Sequence, residues 1–170
     1  GNYLTPQTMD KRSQEVASRY KLGRKSFGRA ELTRMGAGGI LAVAQGSERE
    51  PRLIVLEYRP ANAKKTLALV GKGVTFDTGG ISLKPGADMH EMKYDMSGSA
   101  MAIAALAAIA EQKIAVNVVC AIAMVENMPS GTAFKPGDVY TALGGKTVEV
   151  QNTDAEGRLI LADTLTYVQQ

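Results

Sequence analysis

Ala100-Met-Ala-Ile-Ala-Ala-Leu-Ala-Ala-Ile-Ala110, followed after a short break by Val116-Asn-Val-Val-Cys-Ala-Ile-Ala-Met-Val125, decides the fold of this chain. The first run is apolar on almost every side of a helix, yet too short to cross a bilayer. The second reads as a buried strand, and Thr66-Leu-Ala-Leu-Val70 upstream reads as another. Strand, helix and strand in that order predict a parallel pair, because parallel strands need a crossover and the crossover helix packs on the sheet. A helix apolar all round must also be covered by further protein. The expected class is α/β: a mixed, mainly parallel sheet flanked by helices.

Working outward, Thr5-Pro6 looks like an N-cap with proline in the first turn, opening a helix through about Tyr20. Gly36 to Gly39 break that pattern, after which Ile40-Leu-Ala-Val-Ala44 and Leu53-Ile-Val-Leu-Glu-Tyr58 read as strands. Val139 to Leu143 and Lys146 to Val150 read as a hairpin on a Gly144-Gly145 turn. Leu159, Leu161, Ala162, Leu165 and Val168 recur at helical spacing with no stop signal, so a last helix is expected from Glu156 to Gln170. Without repeats or a low-complexity linker, residues 1–170 read as one domain.

Composition narrows the function classes. With 45% apolar and 22% charged residues, a disordered or fibrous chain is excluded. The net charge is +3, with basic residues concentrated at Lys11, Arg12, Arg19, Lys21, Arg24, Lys25 and Arg29. That stretch reads as a solvated helix and loop, and so small a net charge gives little support to strong phosphate binding. The N-terminal residues are polar rather than signal-like, and Cys120 is the only cysteine, so a reducing, cytoplasmic setting is expected. Cys120 lies in the buried strand and reads as an inert core thiol. His90 is the only histidine and lies among Asp88, Glu91 and Lys93, as an exposed loop residue would. A His/Cys zinc site therefore cannot be assembled, and any metal must be held mainly by oxygen.

Three stretches carry acidic residues in surroundings unlike ordinary surface. In Val70-Gly-Lys-Gly-Val-Thr-Phe-Asp-Thr-Gly-Gly-Ile-Ser-Leu-Lys-Pro85, Lys72, Asp77 and Lys84 stand among glycines in what reads as a loop just beyond a strand, where α/β sheets bind ligands. The lysine is not part of a phosphate loop, because Thr66 stands where the first glycine belongs and Gly73 follows the lysine. In Met92-Lys-Tyr-Asp-Met-Ser-Gly-Ser99, Asp95 precedes the apolar helix. In Gln151-Asn-Thr-Asp-Ala-Glu-Gly-Arg158, an extended backbone would point Asp154 and Glu156 to one side. Taken singly, Asp95 reads as a cap, and Asp154 with Glu156 reads equally as cap and first-turn acid. Taken together, four carboxylates in one dry cleft would repel one another unless cations neutralise them. Two divalent ions, about 3.5–4 Å apart in two-metal hydrolases, would do so.

These stretches closely resemble the leucyl aminopeptidase family of dinuclear metallopeptidases. Asn152-Thr-Asp-Ala-Glu-Gly-Arg-Leu159 matches the family's signature octapeptide throughout. The Lys72 stretch, Met92 to Asp95 and Glu126-Asn-Met-Pro-Ser-Gly131 match in the same order, and the similarity runs from about Leu4, through Gln45-Gly-Ser47, to the last residue. Ser97-Gly98-Ser99 departs from the Gly-Gly-Ala frequent in the family.

The resemblance implies that Lys72, Asp77, Asp95, Asp154 and Glu156 are metal ligands, with Glu156 bridging two divalent ions (zinc or manganese, with magnesium or cobalt also accepted) and Lys72 coordinating as a neutral amine. It implies that Lys84 polarises the scissile carbonyl, that Arg158 holds a bicarbonate ion that shuttles the proton, and that Met92 lines the pocket for an apolar first side chain. The implied substrates are peptides with a free N-terminus, leucine preferred, and the implied assembly is a homohexamer of longer subunits. By the same resemblance the chain is the N-terminal portion of a catalytic domain that continues beyond Gln170. The alternative expectation is an incomplete, inactive fragment acting as a binding or assembly module, with a DNA-binding role for its basic first third.

Overall fold

One long strand and the helix that follows it organise the chain, which the computed structural model describes from Gly1 to Gln170. In chain order the elements are α1 (Pro6–Tyr20), β1 (Gly23–Phe27), α2 (Arg29–Met35), α3 (Gly38–Val43), β2 (Arg52–Tyr58), β3 (Thr66–Asp77), α4 (Ser97–Glu111), β4 (Asn117–Asn127), β5 (Val139–Thr141), β6 (Thr147–Glu149) and α5 (Glu156–Val168). Short 3-10 turns at Met89–Tyr94 and Thr153–Ala155 precede α4 and α5. The main sheet has the order β1-β2-β4-β3, and β5 with β6 forms a separate hairpin.

The sheet is mixed and flanked by helices, as expected, and β3 pairs with β4 in parallel through the α4 crossover. Parallel pairing is confined to those two strands, since β1 with β2 and β2 with β4 are antiparallel. Both faces of the sheet are covered. Along β2, Leu53 and Val55 face one core while Ile54 and Leu56 face the other; along β4, Ala121, Ala123 and Val125 alternate with Cys120, Ile122 and Met124. α1 and α4 supply Met9, Ala17, Ile103 and Leu106 to one layer, whereas α2, α3 and α5 supply Leu32, Ile40 and Ile160 to the other. Strands buried on both faces need no polar alternation, which is why β4 reads as a continuous apolar run. Burial pushes the Cys120 thiol up to about 12, so it is a core residue and not a nucleophile.

α1 begins where the sequence places it. Thr8 N–H donates to Thr5 Oγ1 at 3.2 Å and Thr5 N–H to Thr8 Oγ1 at 2.6 Å, a reciprocal cap. The basic first third is partly neutralised within itself, because Arg24 pairs with Asp10.

Three expectations are corrected. Ile40 to Ala44 is not a strand; it lies in α3 and the 3-10 turn Ala44–Gly46. A short apolar run carries no period of its own, and here tertiary contacts choose the helix. A Cβ at Gly39 would stand 2.5 Å from the Leu159 carbonyl, so α3 lies directly against α5, and Asp163 of α5 accepts the Ile40 N–H at 3.0 Å. The hairpin turn is also longer than two glycines. Ala142 and Lys146 still bond, leaving Leu143 to Gly145 as the loop with Gly145 alone at positive φ. Finally, Lys72 and Asp77 belong to β3 itself and not to a loop beyond it. Gly71 and Gly73 are strand residues because a Cβ would lie 2.5 Å from the Gly98 carbonyl and 2.4 Å from the Ala123 carbonyl respectively.

Asp163 is fully buried and also accepts the Leu143 N–H at 2.8 Å, joining α5 to both α3 and the hairpin tip. Burial raises its pKa, and the backbone donors at Leu143, Ile40 and Gly39 oppose that rise. Asp163→Ala strands these N–H groups and is expected to lower stability by about 2 to 4 kcal/mol, measured by chemical denaturation. An unchanged midpoint would show that water satisfies them.

Candidate metal and catalytic site

The site forms where the carboxyl ends of β3 and β4 meet the starts of α4 and α5. β3 supplies Lys72 and Asp77. Between Val74 and Asp77 the register against β4 slips, a bulge that brings Asp77 opposite Asn127. The turn before α4 delivers Asp95, whose carbonyl accepts the Val74 N–H at 3.3 Å. The Thr153–Ala155 turn delivers Asp154, and Glu156 opens α5. Asp154 and Glu156 thus converge through a 3-10 turn entering a helix, not through an extended backbone.

Asp77, Asp154 and Glu156 each present an oxygen within 4.8 Å of the others. Asp95 stands outside this triangle and reaches it through Lys72, whose ammonium lies 2.9 Å from Asp95 Oδ2 and 2.7 Å from Glu156 Oε1. Lys84 joins the other side, 3.1 Å from Asp77 Oδ2 and in contact with Asp154 Oδ1. Two lysines therefore interleave with four carboxylates, leaving an excess of negative charge when all are ionised. Lys72 passes over the first turn of α5 because Gly157 has no side chain; a Cβ there would stand 2.9 Å from its Cδ and Cε.

Electrostatics within this network follow burial and pairing. Burial raises the pKa of Glu156, which is fully buried, and the lysine beside it offsets only part of the rise. Asp95 is raised for the same reason, with Lys72 opposing. For Lys72 burial works against the charge, but Glu156 and Asp95 outweigh it, so its pKa is raised and the ammonium form is favoured among these neighbours. Lys84 behaves likewise between Asp154 and Asp77.

The donor set suits divalent cations. Glu156 Oε1 and Asp95 Oδ2 meet only the Lys72 ammonium, at 2.7 and 2.9 Å, and buried Glu156 Oε2 has no partner. Buried carboxylate oxygens without donors are costly unless a cation meets them. The candidate donors are hard oxygens apart from the Lys72 nitrogen, a set that magnesium, manganese or zinc accepts once that nitrogen has lost its proton.

Of the remaining sequence candidates, Arg158 is exposed, makes no ion pair, and lines the same open cleft of about 270 Å³ as Lys72 and Glu156. Met92 is half-buried on the turn before Asp95. His90 is exposed on that turn. Sequence reasoning assigned no role to Asn127, Thr153 or Thr78, all of them buried and hydrogen-bonded around Asp77. The usable signal was position: Asn127 ends the strand paired with the one that carries Lys72.

A match to the catalytic domain of the cytosol aminopeptidase family spans residues 1–170. The chain belongs to the cytosol aminopeptidase family. It is similar to the probable cytosol aminopeptidase of Syntrophotalea carbinolica, at 54% identity over 168 residues, covering 98% of this chain and 34% of that protein. Probable cytosol aminopeptidases of Dechloromonas aromatica and Cupriavidus necator are 49% and 51% identical over 170 residues, each covering 99% of this chain. The chain spans about a third of the length of these curated relatives. Membership agrees with the motifs in the sequence, and no helix of the chain is long and apolar enough to cross a membrane.

Proposed function

We propose that this chain carries the catalytic centre of a two-metal aminopeptidase that removes N-terminal residues, leucine preferred, from peptides. The observation that carries this is Glu156: a fully buried carboxylate whose Oε2 has no partner and whose Oε1 meets only the Lys72 ammonium, grouped with Asp77 and Asp154. Asp77, Asp95, Asp154 and Glu156 would hold two divalent ions, and Lys72 would join them as a neutral amine once the charge of the ions displaces its proton. Once bound, such ions supply an activated water and a positive field that draws the substrate's free amine and scissile carbonyl.

The chain's own residues do the rest. Lys84, kept charged by Asp154 and Asp77, presents an ammonium to the oxygen on which negative charge develops. Arg158 stands free at the cleft edge, where it can hold a small anion such as bicarbonate as a proton carrier, a role that exposed His90 does not fill. Met92 contributes an apolar wall for the first side chain. We assign residues 1–170 to the N-terminal portion of the catalytic domain, acting in the cytoplasm within a homohexamer of longer subunits.

The test is metal-dependent turnover. Leucine amide is expected to be hydrolysed only after Mn²⁺ or Zn²⁺ is added, and N-acetyl-leucine amide at least about 100-fold more slowly, since a blocked amine loses a contact of some 3 kcal/mol. Equal turnover of the two would remove the role of the free amine. Turnover indifferent to metal would remove the metal centre from the mechanism.

A further inference from the structure

The bulge in β3 sets Asp77 beside Asn127, the last residue of β4, and the two side chains meet. Asn127 Nδ2 donates to Asp77 Oδ1 at 2.8 Å and to the Thr153 carbonyl at 3.1 Å. Both partners only accept, so the carboxamide has one orientation; turned over, its oxygen would face two acceptors. That oxygen is buried without a partner beneath Gly80, where a Cβ would stand 2.9 Å from it. An unsatisfied buried carbonyl is unfavourable, and here it accompanies two donations into the site.

The backbone of the same residue holds the Lys84 loop. Its carbonyl accepts the Thr78 N–H at 3.0 Å and the Thr78 hydroxyl at 2.9 Å, and the Thr78 carbonyl accepts the Lys84 N–H at 2.9 Å. Asn127 thus contacts Asp77, the residue before Asp154, and the loop that carries Lys84. Asp77 Oδ1 receives a second donor, the Gly79 N–H at 2.9 Å. Two donors fill the lone pairs of that oxygen, and only Oδ2, which faces Lys84 at 3.1 Å, remains open.

We infer that Asn127 is a positioning residue: its carboxamide occupies Asp77 Oδ1, limits Asp77 to single-oxygen contact with a cation, and sets the spacing between Asp77 and Asp154. The inference rests on the metal-centre reading above. Co²⁺ is the probe, titrated into metal-free protein while affinity and visible absorption are followed together. Asn127→Leu and the smaller, polar Asn127→Ser are expected to bind Co²⁺ about 10- to 100-fold more weakly, the usual loss when a group orienting a ligand is removed. Their spectra should also change as the freed Asp77 turns both oxygens to the ion. Leu106→Ala, a cavity variant in α4, is expected to keep wild-type affinity and spectrum below its unfolding temperature. Wild-type affinity and spectrum in either Asn127 variant would overturn the inference, as would an equal loss in Leu106→Ala. Should Asn127→Leu not fold, Asn127→Ser decides. Wild-type protein that binds no Co²⁺ overturns instead the metal centre itself.

Discussion

Glu156→Gln is expected to abolish the stabilisation that Mn²⁺ or Zn²⁺ confers while leaving the metal-free protein no less stable. At a ligand concentration 100 times Kd, a bound ion adds about 2.7 kcal/mol. Removing the central ligand should erase that increment and, with it, turnover. The metal-free half of the expectation follows from linkage. Burial raises the pKa of Glu156 in the fold, so the folded state holds its proton more tightly than the unfolded state. The associated stability is present below the ordinary value of 4.5 and is lost as pH rises through the folded value. At neutral pH the ionised side chain is therefore a burden that a neutral amide relieves, and Lys72 keeps Asp95 as a partner. Thermal melts of both proteins with and without metal provide the check. A variant that still gains stability from metal would show that Glu156 is not a ligand.

Lys84→Met is expected to separate binding from chemistry. Lys84 pairs with Asp77 and Asp154, so its ammonium occupies carboxylate oxygens that a cation would otherwise meet. Without it, metal affinity should hold or rise. Turnover of leucine amide should fall about 10²- to 10³-fold, roughly 3 to 4 kcal/mol, the size expected when one donor to a developing oxyanion is lost. The loss should appear in kcat with KM little changed, because a group acting only on the transition state leaves ground-state binding intact. A variant with wild-type kcat would remove Lys84 from the chemistry, and one that no longer binds metal would make it a structural member of the site.

Much of this was legible in the residues. The apolar stretches at Ala100 and Val116 require a crossover onto a sheet, the Thr5 cap requires a helix, and a single histidine forces any metal onto oxygen, because each depends only on local chemistry or counting. Charge placed among glycines likewise marked Lys72, Asp77 and Lys84. Sequence alone could not tell that Gly71 and Gly73 are strand residues, since their role is to admit Gly98 and Ala123 from elements distant in the chain. Nor could it make Ile40 helical, a choice made by Asp163 and Leu159 from the far end. The parallel share of the sheet was overestimated because local pattern does not reveal which neighbour a strand takes. The candidate acidic residues were thus written in the chain. Their convergence, the interleaving of two lysines among them and the grip of Asn127 on Asp77 were decided only by the tertiary structure, because a β-bulge and a 3-10 turn set distances that spacing along the chain does not encode.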